Sequence, residues 1–263
     1  MSTDLRAIVL AAGKGTRMNS DKPKVCFKLA GKTLIRRVLS TVLKLDIEFI
    51  GIVVGYEKQM VIEAANETPF AANIWGHTFL HYFEQENQNG TGHAVLCAKE
   101  GFDYFKGNVF VLCGDVPLLK PETLKKMLEK HEETKASCTV LTMIPQNPES
   151  YGRMVRDDNN RIKEIVEFKD ASDEIKNINE INTGIYCFNN VDLFKALEKV
   201  DNNNAQKEYY LTDVIKIMYN DGKTVESVVL EDPIEAAGVN SPDQLAELEK
   251  ECAKFDKEHD WWY

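Results

Sequence analysis

The densest chemistry in this chain lies near its amino end, in the run Leu10-Ala11-Ala12-Gly13-Lys14-Gly15-Thr16-Arg17-Met18, with Pro23 and Lys24 five residues on. Two alanines and two glycines let the backbone approach a ligand closely and turn its N–H groups toward phosphate oxygens. Lys14, Arg17 and Lys24 surround that turn with three cations, although the chain as a whole has 32 Lys plus Arg against 42 Asp plus Glu, a net charge of −10. A local positive cluster on an acidic protein points to a polyphosphate. The plainer alternative is an ordinary strand-to-helix turn with solvated charges. Two familiar phosphate loops are excluded: G-x-x-x-x-G-K-[ST] is absent, and G-x-G-x-x-G fails because Met18 holds its last position.

Further candidates follow along the chain. Gly90-Thr91-Gly92, with Gln85 upstream, offers backbone amides and a side-chain amide able to read the edge of a pyrimidine; its plain alternative is a glycine-rich helix cap. Asp115 stands just past a strand, where open α/β sheets bind ligands, and its carboxylate is a hard oxygen donor suited to Mg²⁺. Gly152, Glu167 and Asn182 combine a close backbone approach, a carboxylate and an amide, which suit sugar hydroxyls and an acetamide. Glu167 also alternates with Val166 and Phe168, as an exposed strand residue would. The five histidines and six cysteines form no triad and no zinc spacing.

The elements that must position these residues alternate in the first half. Strands are expected over 6–11, 49–54, 78–83, 108–113 and 137–144. Helices are expected over 33–45 and 57–66, from Thr91 as a cap to about 100, and from Pro121 onward. Such alternation implies right-handed βαβ units, a mostly parallel sheet and helices on both faces. After Pro145 the rhythm changes. A hairpin is expected from 153–156 and 161–168 around Asp157-Asp158-Asn159-Asn160, then strands over 180–188 and 224–230 and a helix over 211–220. Ser241-Pro242-Asp243-Gln244 is a strong helix start. In the helix it opens, over 241–257, Leu245, Leu248, Cys252 and Phe255 make one apolar stripe that must dock on something. The chain ends in Trp261-Trp262-Tyr263.

The 263 residues, 43% of them hydrophobic, suffice for one to two domains with a sizeable core. The acidic balance argues against a general nucleic-acid or anionic-membrane binder. No apolar run reaches about 18 residues, so no membrane span is expected. The amino end lacks the pattern of a secretory signal, and the scattered cysteines read as buried reduced thiols, so the expected location is cytoplasmic.

Taken in order, these blocks carry a resemblance. The strings LAAGKGTRM and Pro23-Lys24, then residues 85–94, 114–118, 151–153, 166–171, 180–185, 209–213 and 238–240, resemble the uridylyltransferase domain of bacterial N-acetylglucosamine-1-phosphate uridylyltransferases, over about residues 4–245. That family sits within the sugar-phosphate nucleotidylyltransferase superfamily. The resemblance implies a Rossmann-like α/β fold of nucleotide-diphospho-sugar transferase type, with a mixed, mostly parallel sheet and an antiparallel sugar-binding elaboration over about 145–230. It implies a nucleotidylyltransferase domain over 1–240, followed by a linker-type helix and tail over 241–263.

By the same resemblance, Leu10, Ala11, Ala12, Gly13, Lys14, Gly15, Thr16 and Gly114 bind the nucleotide, and Gln85, Gly90 and Thr91 contact uracil. Arg17, Lys24 and Asp115 are implied as catalytic, and Gly152, Glu167 and Asn182 as binding the N-acetylglucosamine moiety. Asp115 and Asn240 together are implied to hold Mg²⁺. The implied reaction joins UTP to N-acetylglucosamine 1-phosphate and releases pyrophosphate. Another sugar 1-phosphate, another pyrimidine triphosphate or a non-catalytic binding module remain as alternatives.

This chain departs from the family at Phe27 and Phe168, where many relatives carry histidine, and at Cys113, where an aromatic is usual. Relatives commonly continue into a left-handed β-helix acetyltransferase domain that forms trimers. No hexapeptide repeat occurs here, so acetyltransferase activity is not expected and the oligomeric state is left open.

Overall fold

The computed structural model describes residues 4–67, 78–148 and 150–258. In the first half, β1 (Leu5–Ala11) is followed by two-residue strands β2 (Lys28–Leu29) and β3 (Lys32–Thr33), then α1 (Leu34–Leu43), β4 (Phe49–Val54), α2 (Lys58–Asn66), β5 (Phe79–Glu84), α3 (Thr91–Cys97), β6 (Asn108–Cys113) and α4 (Pro121–Thr134). The second half runs β7 (Cys138–Met143), β8 (Arg153–Arg156), β9 (Ile162–Val166), α5 (Asp173–Lys176), β10 (Ile181–Asn189), α6 (Asn190–Leu197), α7 (Asp213–Asn220), β11 (Val225–Val229) and α8 (Pro242–Glu258).

One sheet organises the molecule, in the order β11-β7-β10-β6-β1-β4-β5, with the β8–β9 hairpin joined through β10. The β6-β1-β4-β5 pairs and the β11-β7 pair are parallel. β10 runs antiparallel to both neighbours, β6 and β7. β7 therefore points the same way as β6, as the βαβ rhythm requires, but lies one place further out because β10 fills the slot between them.

The central strands are covered on both sides, which explains their unbroken apolar runs. Ala7, Val9 and Ala11 of β1 face a core shared with Ile35, Leu39 and Leu124, while Ile8 faces a second core with Val95, Leu193 and Ile215. Thr33 caps α1 by accepting a hydrogen bond from the Arg36 N–H, and Pro121 opens α4 as expected. Thr91 does not act as a cap. Gly90 precedes the helix, and the Thr91 hydroxyl accepts from the Leu211 N–H across a distant loop.

His131 lies buried on α4 with Nδ1 3.0 Å from the Thr139 hydroxyl and no partner on Nε2. Burial pushes its pKa down to about 4. Between pH 6.5 and 4 the unfolded chain therefore binds a proton that the folded chain refuses, and stability falls as pH falls through that window. His131→Leu is expected to gain about 3 kcal/mol relative to wild type between pH 6.5 and pH 4, from the size of that shift. Urea unfolding at both pH values measures it, and a stability difference that does not change with pH contradicts the assignment.

Candidate active site

The carboxyl edge of the sheet gathers the residues singled out in the sequence. β1 delivers the glycine turn, β5 delivers Gln85, β6 delivers Cys113, Gly114 and Asp115, and β11 leads through a short turn at Pro233–Ala236 to Asn240. Because β10 runs antiparallel, its first residues, including Asn182, arrive at the same edge, paired to the end of β7.

The glycine turn is shaped by a steric demand at Gly15. Its φ is +66°, and a Cβ there would lie 2.6 Å from Cβ of Lys24. Only glycine lets the turn and the Lys24 segment close on each other. Met18 anchors the far end of the turn in a small buried cluster with Leu29, Leu34, Leu118, Val239, Leu248 and Cys252. A short turn at Lys24–Cys26 buries Val25 and Cys26 and leaves Lys24 half-buried beside Asp115. Its ammonium donates to Asp115 Oδ2 and, over 2.7 Å, to Asn240 Oδ1; Arg17 reaches the same Asn240 oxygen at 3.1 Å. Four residues drawn from three distant segments thus meet at one point. Lys14 stands apart from this group, exposed, with Nζ 4.9 Å from the centre of the Tyr56 ring.

Beside this point opens a cavity of about 320 Å³, lined by residues 10–13 and by Lys24, Gln85, Gln88, Gly90, Thr91, Cys113, Asp115 and Glu208 among others. A Cβ on Gly13 would meet nothing within 4 Å, so that stretch of backbone faces open space. Gly114 is a spacer instead: a Cβ there would lie 3.0 Å from the Leu10 carbonyl oxygen. Gln85 is buried, and its side-chain amide nitrogen lies 3.0 Å from both the Gly90 carbonyl oxygen and His93 Nδ1. Burial, with Asp115 close by, pushes the Cys113 thiol up to about 12, so it stays protonated; its sulfur is 3.5 Å from the Gly184 carbonyl oxygen.

Gly152, Glu167 and Asn182 form a neighbouring patch rather than part of the cavity wall. The Asn182 N–H donates to the Gly152 carbonyl at 2.9 Å, and a Cβ on Gly152 would be 3.6 Å from both Glu167 carboxylate oxygens. Glu167 accepts from the Thr212 hydroxyl at 3.1 Å. Burial, reinforced by Asp213, Asp170 and Glu208, raises its pKa above the usual carboxylate range. The Asn182 side chain is held internally, donating to the Tyr186 hydroxyl and accepting from the Gly184 N–H. Buried Arg153 organises the loop before Gly152 by donating to the carbonyls of Pro148 and Tyr151, with its guanidinium over the Phe168 ring.

Val25 and Glu208 line the cavity but were not singled out in the sequence, and Gln88 was given no role; Gly55, behind the wall, was also passed over. A Cβ on Gly55 would lie 2.9 Å from both the Ala12 and Gln85 carbonyl oxygens, so this glycine lets those two segments converge. Its signal was available, a glycine directly after a strand, as Gly114 is after Cys113.

Whether a divalent ion suits this place can be judged from the donors. An ammonium is already seated between Asp115 Oδ2 and Asn240 Oδ1, so both oxygens point at one cation position. One carboxylate and one neutral oxygen leave most of an octahedral shell for phosphate oxygens and water, the arrangement Mg²⁺ favours. Among the described residues, no cluster of three or more His, Cys, Asp or Glu offers a self-sufficient metal cage.

A glycine turn and a cation point thus lie together at the carboxyl edge of a mostly parallel sheet, where α/β proteins bind phosphorylated ligands. The comparisons narrow the class: the chain belongs to the nucleotidyl transferase family, whose model matches residues 6–247. It is 44% identical over 244 residues to the bifunctional protein GlmU of Clostridium novyi, covering 93% of this chain and 51% of that protein. It is 46% identical over 241 residues to GlmU of Geotalea daltonii, covering 92% and 51%. The chain thus spans about half the length of these relatives. In fold it is similar to a UDP-glucose pyrophosphorylase solved with UDP-glucose, at TM-score 0.75 and 20% identity, covering 95% of this chain and 98% of the other. No helix among the described residues is long and apolar enough to cross a membrane.

Proposed function

We propose that this chain transfers UMP from UTP to N-acetylglucosamine 1-phosphate, giving UDP-N-acetylglucosamine and pyrophosphate. The observation that carries the reading is the meeting of Lys24, Arg17, Asp115 and Asn240 at the mouth of a cavity walled by the glycine turn. The similarity to GlmU over nearly the whole chain supports the choice of substrates.

The phosphate oxygen of the sugar is a competent nucleophile near neutral pH, so no general base and no covalent intermediate is required. The reaction instead needs two polyanions held with attacking and leaving oxygens in line at the α-phosphorus. The backbone N–H groups of residues 13–16, with Lys14 and Arg17, hold and neutralise the triphosphate. Lys24, which also lines the cavity, would bridge phosphates near the reacting centre once its ammonium leaves the Asp115 and Asn240 oxygens. Asp115 and Asn240 would hold Mg²⁺, which when bound would neutralise charge at the α-phosphate.

Gln85 supports uracil as the base. Its amide nitrogen is committed to the Gly90 carbonyl and His93, which leaves Oε1, an acceptor, for a ligand. Uracil presents a donor at N3, whereas cytosine presents an acceptor there. Gly152, Glu167 and Asn182 receive the sugar beside the cavity.

Pyrophosphate release from a matrix of nucleoside triphosphates and sugar 1-phosphates tests the proposal. The expected result is at least about tenfold preference for UTP and for N-acetylglucosamine 1-phosphate, the discrimination expected when a buried polar group loses its partner. Turnover restricted to a hexose 1-phosphate would replace the sugar; nucleotide binding without pyrophosphate release would make the chain a binding module. Arg17→Ala is expected to lose about two orders of magnitude in kcat, the scale of one strong transition-state contact, with an unchanged melting curve. Normal kinetics with lowered thermal stability would make Arg17 structural.

A further inference from the structure

We propose that Gln244, in the first turn of α8, is a positioning residue that sets the cation site by holding Asn240. The inference rests on the reading of Asp115 and Asn240 as the metal pair and extends it to a helix outside the site. Two consecutive peptide N–H groups fix the backbone that carries the Asn240 side chain. The Val239 N–H donates to the Asp115 carbonyl at 3.0 Å, tying this segment to the other metal residue. The Asn240 N–H donates to Gln244 Oε1 at 2.8 Å. Gln244 is itself held, because its N–H donates to the Ser241 hydroxyl at 3.2 Å.

An ordinary capping box returns the side chain of the third helical residue to the N–H of the cap. Here the cap is Ser241, yet Gln244 reaches one residue further, to Asn240. That displacement serves the Asn240 side chain rather than the helix end. Around it, the Gly238–Asn240 segment lies in van der Waals contact with Asp115. Val239 is fully buried, and a Cβ on Gly238 would lie 3.7 Å from Asp115 Oδ2 and 3.6 Å from Asn240 Nδ2. α8 is secured independently at two other points. Leu248 and Cys252 pack with Met18 of the glycine turn, and the Glu249 carboxylate accepts from the Ala30 N–H at 3.0 Å.

The test uses the full chain with UTP and no sugar phosphate, so that nothing turns over. Mn²⁺ is titrated and its free concentration read by electron paramagnetic resonance. Gln244→Leu and Gln244→Met, which lose the acceptor, are expected to weaken Mn²⁺ binding about tenfold, the loss typical of an outer-shell partner of a metal ligand. Gln244→Glu, which keeps an acceptor oxygen, is expected to stay within about threefold of wild type by the same reasoning. In pyrophosphate release, the half-saturating Mg²⁺ should rise in parallel while kcat at saturating Mg²⁺ changes less than about twofold. Glu249→Ala, which loosens α8 elsewhere, should leave Mn²⁺ affinity unchanged.

Unchanged Mn²⁺ affinity in Gln244→Leu and Gln244→Met overturns the proposal. So does an equal loss in Gln244→Glu, or a loss in Glu249→Ala matching that of Gln244→Leu, since each would mean that only helix docking matters. A wild-type chain that binds no Mn²⁺ with UTP would overturn the metal reading itself, a result distinct from any of these.

Discussion

Asp115→Ala is expected to lower kcat by about three orders of magnitude or more, equivalent to about 4 kcal/mol of transition-state stabilisation. The side chain contributes one of the two oxygens at the cation point, and no third acidic or metal-binding side chain clusters there among the described residues to replace it. The fold should survive. What ties Asp115 to the rest of the molecule is its carbonyl, which accepts from the Val239 N–H and remains in the variant. The lost ion pair with Lys24 is largely buried, but the ammonium keeps the Asn240 oxygen as an acceptor, so a modest loss of stability is expected rather than unfolding. Asp115→Asn, which keeps the shape and loses the charge, should fall between wild type and Asp115→Ala. Pyrophosphate release across a range of Mg²⁺ concentrations, with melting curves, checks both. Wild-type turnover in Asp115→Ala at saturating Mg²⁺ would remove Asp115 from the mechanism.

The second large effect is expected at Gly90. Its φ of +108° and ψ of 173° lie where essentially only glycine is found. A Cβ there would come within 2.6 Å of the Tyr209 carbonyl oxygen and 2.8 Å of the Tyr209 nitrogen. Neither atom can retreat freely, because the Tyr209 N–H donates to Asn89 and its carbonyl accepts from Gly92. Gly90→Ala should therefore push apart the two segments that wall the cavity and displace the carbonyl that orients Gln85. UTP affinity is expected to fall at least about 100-fold, with the protein destabilised by about 2 to 4 kcal/mol from strain plus overpacking. Gly13→Ala is the contrast. It meets nothing in the chain, so it should keep wild-type stability and lose only nucleotide affinity. Calorimetric titration with UTP and urea unfolding separate the two outcomes, and wild-type UTP affinity in Gly90→Ala would contradict this account of the base pocket.

Local signals in the sequence located most elements. The strand Phe49–Val54 and the strand Asn108–Cys113 lie where the apolar runs place them, and the turn at residues 157–160 joins β8 and β9 as its composition indicates. What local signals cannot carry is which strands become neighbours. The insertion of β10 between β6 and β7 is a pairing across long chain distances, and periodicity is silent about it. Helix α6 was missed because no loop precedes it: Asn189 ends β10 and also caps the helix, accepting from the Asp192 N–H. The β2–β3 ribbon is too short for any period to register.

The site was legible in a similar, partial way. Lys24 and Asp115 stood out by residue type and place, but Asn240 resembles any polar residue before a helix. Only the ordered family-like blocks marked it. The stripe Leu245, Leu248, Cys252 announced that α8 must dock, and the structure supplies the partner, the body of the domain beneath the glycine turn. The side chain of Phe255 and the Trp261-Trp262-Tyr263 tail lie outside the described residues.

The 216 positions between Lys24 and Asn240 have a consequence for how the protein is made. A ribosome delivers the chain from its amino end, and strands β1, β4, β5 and β6 are complete long before Asn240 is synthesised. Contacts of such long range also form late in folding, since closing the intervening loop costs entropy before it returns anything. A nascent copy that has completed β6 therefore still lacks both Glu208 of the cavity wall and Asn240, so on the proposed reading it cannot assemble the site.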